Sequence, residues 1–192
     1  MDEKRFKIED KKYSGLWKNG YKDANWKKLA NEALKMKSLY KNPSLIDFGL
    51  GNGNALDFFE GKDFHVEGVD ISSYAVEAQR KSGRKVYHAS LDNLSMIKNN
   101  QFSVGFCNDV LEHMPEELVA ASIKEMSRVC LDYLFISVCP KPSHHLSLEG
   151  ENLHLTVRPE HWWSEQFSNF GEVKRLRFLF SRSLRYVIRP IK

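Results

Sequence analysis

Leu45-Ile46-Asp47-Phe48-Gly49-Leu50-Gly51-Asn52-Gly53 is the stretch that decides the fold. A short apolar run closed by alternating glycines, then Ala55-Leu56-Asp57-Phe58-Phe59-Glu60 and a stop at Gly61, reads as strand, tight turn and helix. The same alternation continues downstream. Strands are expected over 64–69, 85–89, 102–108 and 131–138, and helices over 72–82, 91–98 and 115–129. Strands separated by helices of this length make a parallel sheet covered on both faces, an α/β three-layer sandwich. Beyond it come a polar, His-rich stretch over 143–156 and a helix over 159–167. Strands over 172–180 and 184–188 follow, joined by Ser181-Arg182-Ser183 as an edge hairpin.

Upstream, Leu29, Ala30, Ala33, Leu34, Met36 and Tyr40 recur at helical spacing from Trp26 until Asn42-Pro43 stops the pattern. The expected organisation is an N-terminal helical lid segment over 1–41 and a ligand-binding domain over 42–192. With 192 residues, 42% of them hydrophobic, the chain suits one compact domain; its composition excludes disorder and a disulfide scaffold. Cys107, Cys130 and Cys139 show no CxxC spacing, which fits a reducing compartment. No apolar run approaches the roughly 20 residues of a membrane span, and the first residues lack a signal-like apolar stretch, so a cytoplasmic location is expected. Both ends of the chain are net basic and the middle is net acidic. That balance fits solvated faces more readily than a polyanion-binding patch.

A glycine turn after the first strand lets a ligand approach the backbone and offers it N–H groups. Asp70 ends the second strand 23 residues after Asp47, where a carboxylate accepts hydrogen bonds from ribose hydroxyls. Together they point to a nucleoside ligand. The third glycine of a dinucleotide fingerprint would fall at Asn54, and no G-x-x-x-x-G-K-[ST] is present, so NAD and P-loop chemistry are disfavoured.

From Leu45 to Gly53, through Val69-Asp70-Ile71-Ser72, to Phe106-Cys107-Asn108-Asp109-Val110-Leu111-Glu112-His113-Met114-Pro115, the sequence resembles class I S-adenosylmethionine-dependent methyltransferases. The resemblance implies a single-domain Rossmann-like fold whose mostly parallel seven-stranded sheet ends in an antiparallel hairpin. It also implies S-adenosyl-L-methionine as cofactor. Asp47, Gly49, Gly51 and Gly53 would hold its methionine part, Asp70 and Ile71 its ribose, and Ser90 and Leu91 would flank its adenine. Asn108 and Val110 would face the methionyl group, and Trp17, among the lid aromatics Tyr13, Trp17, Tyr21 and Trp26, would cover the cofactor. Members of the family often carry an acid where Ser90 stands. The Asn-Pro-Pro-Tyr of amine-methylating enzymes is missing at the fourth strand end.

His113, with an unperturbed pKa of about 6.5, His154 and Asp109 are the candidate catalytic residues. Asp109-x-x-Glu112-His113 with His154 also resembles the Mg²⁺ ligands of small-RNA 3′-terminal 2′-O-methyltransferases; whether a metal is held stays open. The expected acceptor is a small polar molecule, sugar- or phosphate-bearing, methylated on oxygen. The alternatives are Mg²⁺-dependent RNA 2′-O-methylation, S-adenosylmethionine binding without turnover, and aminopropyl transfer. Oligomeric state is not legible, and Arg175, Arg177, Arg182, Arg185 and Arg189 of the hairpin need not share one face.

Overall fold

The structure, a computed structural model, describes residues 1–22, 26–40, 42–179 and 181–191. Its strands are β1 Ser44–Phe48, β2 His65–Asp70, β3 Val86–His88, β4 Phe102–Asn108, β5 Cys130–Val138, β6 Gly171–Leu176 and β7 Leu184–Pro190. Its helices are α1 Glu3–Lys18, α2 Trp26–Lys35, α3 Asn54–Glu60, α4 Ser73–Lys81, α5 Glu116–Val129 and α6 Glu160–Ser168. The strands form one sheet in the order β3-β2-β1-β4-β5-β7-β6. β1 to β5 pair in parallel, whereas β7 runs antiparallel to both β5 and β6. The terminal hairpin is therefore present, with its second strand inserted between β5 and β6. The expected strand end at Phe180 lies outside the described residues, as does Lys41 at the expected segment boundary.

Each face of the sheet is sealed by helices. Leu29 and Ala33 of α2, Leu56 and Phe59 of α3 and Val76 of α4 pack on Leu45, Val104 and Phe106. On the other face Ile123 and Met126 of α5, with Trp163 and Phe167 of α6, pack on Ile46, Phe48, Ile136 and Ile188. Removing this apolar surface from water is the main source of stability. Among the described residues no helix is long and apolar enough to cross a membrane.

Two sequence expectations are corrected. Residues 91–98 form turns, not a helix. Arg128 of α5 donates to the carbonyls of Leu94 and Ile97, and Glu125 accepts from the Leu94 N–H, so side chains satisfy groups that a helix would bond internally. In the other direction, helix begins far ahead of Trp26. α1 starts at an N-cap, Asp2, whose carboxylate accepts from the Arg5 N–H at 2.7 Å.

Candidate active site

Each parallel strand ends on one edge of the sheet, and the order reverses between β1 and β4, where open α/β sheets hold ligands. The glycine turn lies there. Gly49 and Leu50 donate to the Val69 carbonyl, tying the turn to β2. Gly51 donates its N–H to Asp70 Oδ2 at 2.9 Å, and Ser72 donates to Oδ1 at 2.8 Å. The carboxylate is thereby fixed at the strand end. Burial raises the Asp70 pKa, against the lowering effect of those two N–H groups.

Gly51 has φ +48°, and a Cβ there would meet the Trp17 ring at 2.6 Å. The missing side chain is what lets Trp17 of α1 lie on the turn. α1 is tied down by polar contacts. Asp10 accepts from the Ser73 N–H at 2.7 Å and from its hydroxyl, and Ser14 Oγ lies 2.9 Å from Ser72 Oγ. Although burial opposes it, the bonds from Ser73 and Ser14 hold the Asp10 pKa below its ordinary value.

A cavity of about 300 Å³ lies between α1 and the strand ends. On the side of β1, β2 and β3 it is lined by Asp47, Gly49, Asp70, Ile71, Ser90 and Leu91, with Trp17 above. On the side of β4, β5 and β7 it is lined by Asn108, Asp109, Val110, His113 and His154. Gly51 and Gly53 are not in its wall: Gly51 serves Asp70, and Gly53 N-caps α3 beside Gln79. Ser90 is itself held by Asp92, the acid standing two residues beyond the expected place.

His113, expected as a base at the mouth of the pocket, is partly buried and already engaged. Its Nδ1 lies 3.2 Å from the Tyr13 hydroxyl, and the Leu153 carbonyl also bonds the ring. Burial, and then neighbouring His154, push its pKa down to about 3. A neutral imidazole that accepts from Tyr13 is a poor proton acceptor for anything else. His154 stands ring to ring with it at 4.8 Å and places Nδ1 2.6 Å from the Lys141 carbonyl. A carbonyl only accepts, so Nδ1 carries the proton and the Nε2 lone pair is left available.

Glu112 is wholly buried; Oε1 accepts from the Cys139 N–H at 2.7 Å, while Oε2 has no hydrogen-bond partner. Burial first, then Asp109, hold its pKa well above the ordinary carboxyl range. One ligand atom from each of Glu112, His113 and His154 falls within 4.8 Å of the others. Asp109 is not in that group. Its Oδ1 accepts from Ser137 at 2.8 Å, its backbone is left-handed with φ 52°, and Arg185 faces it.

The sequence reading passed over Cys139, Arg182 and Ser183, which also line the cavity. Cys139 follows directly on β5, whereas no local pattern marks Arg182 and Ser183, because only the pairing of β7 with β5 brings them there. The hairpin arginines are dispersed: Arg185 is 2% exposed, Arg175 pairs with Glu160, and Arg182 faces the cavity.

A family model described as a methyltransferase domain matches residues 46–132. The ubiquinone biosynthesis O-methyltransferase of Aromatoleum aromaticum is 31% identical over 78 residues, 38% of this chain; the match spans 33% of that enzyme's length. Among solved structures, 1,6-didemethyltoxoflavin-N1-methyltransferase of Burkholderia thailandensis, with S-adenosylhomocysteine bound, superposes with a TM-score of 0.73 at 14% identity. That match covers 98% of this chain and 90% of the other. Magnesium protoporphyrin IX methyltransferase of Synechocystis, with S-adenosylmethionine bound, gives 0.67 at 16% identity, covering 100% and 98%.

Proposed function

We propose that the chain, whose residues 46–132 match the methyltransferase-domain family model, is a class I S-adenosylmethionine-dependent methyltransferase that transfers a methyl group to an oxygen of a small polar acceptor. The observation that carries the reading is the Asp70 carboxylate, fixed by the N–H groups of Gly51 and Ser72 beside the glycine turn. The turn, Asp47, Asp70, Ile71, Ser90 and Leu91 would hold the cofactor, with Trp17 and the rest of α1 as a lid, whereas α2 belongs to the core that covers the sheet. The cofactor's contribution is a sulfonium methyl open to in-line displacement.

The protein's own part is alignment and proton removal. Asn108 and Val110 line the cavity at the end of β4. His154, with its proton fixed on Nδ1 by Lys141, offers Nε2 to an acceptor hydroxyl. His113 positions the lid through Tyr13 in place of taking the proton. Asp109, opposite Arg185, contributes a fixed polar wall.

Calorimetry with S-adenosylhomocysteine and with NAD tests the cofactor reading: the first should bind and the second should not. Release of S-adenosylhomocysteine from S-adenosylmethionine across a panel of hydroxyl acceptors tests turnover. His154→Gln should lower kcat with little change in cofactor affinity. Binding without turnover on any acceptor would leave a binding module instead of an enzyme.

A further inference from the structure

The two halves of the cavity differ in how their charges are balanced. On the β4–β5–β7 side, Asp109 faces the buried Arg185, and the wholly enclosed Glu112 carboxyl accepts from the Cys139 N–H. Arg182 is the remaining strong charge there. It lies just before β7, whose first residue Leu184 pairs with Val138 at the end of β5, so it reaches the same sheet edge as Asp109 and Cys139. Among the described residues the arginine–carboxylate pairs belong to Arg5, Arg84, Arg128, Arg158 and Arg175, and Arg182 is in none of them. Burial raises the Cys139 pKa and lowers that of His154, and the Arg182 charge adds a smaller lowering effect on each. His144 and His154 line the wall beside it.

A guanidinium on the wall of a half-enclosed cavity, with no carboxylate of its own, matches an oxyanion through paired N–H donors. We infer that the methyl acceptor carries an oxyanion, a carboxylate or a phosphate, seated on Arg182 next to His154 and Ser183. This rests on the methyltransferase reading and deepens it. The anion would anchor one end of the acceptor at β7 and leave its hydroxyl to reach His154 Nε2 nearer the β1–β4 junction.

The test uses the full chain loaded with S-adenosylhomocysteine, whose binding is measured first. Benzoate, phenyl phosphate and inorganic phosphate are then titrated, with benzamide as the neutral counterpart of benzoate, and the His154 imidazole signals are followed by NMR. The anions should shift those signals and benzamide should not. Arg182→Ala should weaken anion binding about tenfold or more. Arg182→Lys should recover part of it, and Arg177→Ala, the same charge change on a residue exposed like Arg182 but outside the cavity, should do nothing. Tighter binding of benzoate or of phenyl phosphate supports the inference alike and tells carboxylate from phosphate. It is overturned if no anion shifts His154, if benzamide binds as well as benzoate, or if Arg182→Ala leaves anion affinity intact. It is equally overturned if Arg182→Ala weakens S-adenosylhomocysteine itself, because Arg182 would then serve the cofactor carboxylate. Failure of the wild-type chain to bind S-adenosylhomocysteine would count against the methyltransferase reading instead.

Discussion

The Tyr13 hydroxyl of α1 lies 3.2 Å from Nδ1 of His113, a hundred residues along the chain and on the opposite wall of the cavity. The imidazole, kept neutral by burial, has an acceptor nitrogen for that hydroxyl, so the contact joins the N-terminal helix to the turn that follows β4. His113 thus couples the position of α1 to the turn after β4.

Replacing Tyr13 by Phe keeps the ring and removes the bond. The Nδ1 acceptor is left unsatisfied, at a cost of about 1–3 kcal/mol. Hydrogen exchange should show faster opening of α1 while β1 and β4 keep their protection. Equal exchange in both proteins would mean that the bond does not hold α1.

Asp70→Ala removes the carboxylate at the end of β2 and strands the N–H groups of Gly51 and Ser72. S-adenosylhomocysteine affinity should fall tenfold or more, in line with the 1–3 kcal/mol of hydrogen bonds to a charged group. Calorimetry on samples whose melting shows a folded state measures this. An unchanged Kd would remove Asp70 from the cofactor site.

His113 sets a pH dependence with a definite sign. Its folded pKa of about 3 lies below the ordinary value of 6.5, so between those limits the unfolded chain binds a proton that the folded chain does not. Stability therefore falls as pH drops below 6.5, by up to about 2 kcal/mol at pH 5 from this residue, and is unaffected by it above that range. His113→Asn, which keeps an acceptor for Tyr13, should flatten that slope in urea unfolding at pH 7 and pH 5. Parallel slopes in the two proteins would show that the histidine titrates normally.

Gly51→Ala meets two obstacles, a left-handed φ of +48° and the Trp17 ring at 2.6 Å. The strain is about 1–3 kcal/mol, and Trp17 must move. The Trp17 indole signal should shift in an ¹⁵N spectrum while that of Trp163, wholly buried under α6, stays in place. A substitution that leaves both signals unchanged would show that Trp17 does not rest on the turn.

What the sequence determined by itself was whatever is written in local patterns. Apolar runs alternating with amphipathic stretches specify the parallel sheet, because burial on two faces needs them. The glycines at 49, 51 and 53 and the acid at the end of β2 mark the turn at the β1–β2 strand ends beside the cavity, since strand ends and tight turns are local features. The hairpin, too, was legible. Tertiary structure alone decided the rest. α1 carries only a weak apolar stripe because its inward face, with Glu9, Tyr13 and Trp17, lines the cavity, so periodicity gives little signal for it. Residues 91–98 took their hydrogen bonds from α5, which their own sequence does not encode. Insertion of β7 between β5 and β6 carried Arg182 and Ser183 to the cavity and set Arg185 against Asp109. The same packing buried His113 against Tyr13 and His154, turning a residue with an ordinary pKa into a neutral anchor. Contacts between residues tens to a hundred positions apart decide such electrostatics, and no local pattern records them.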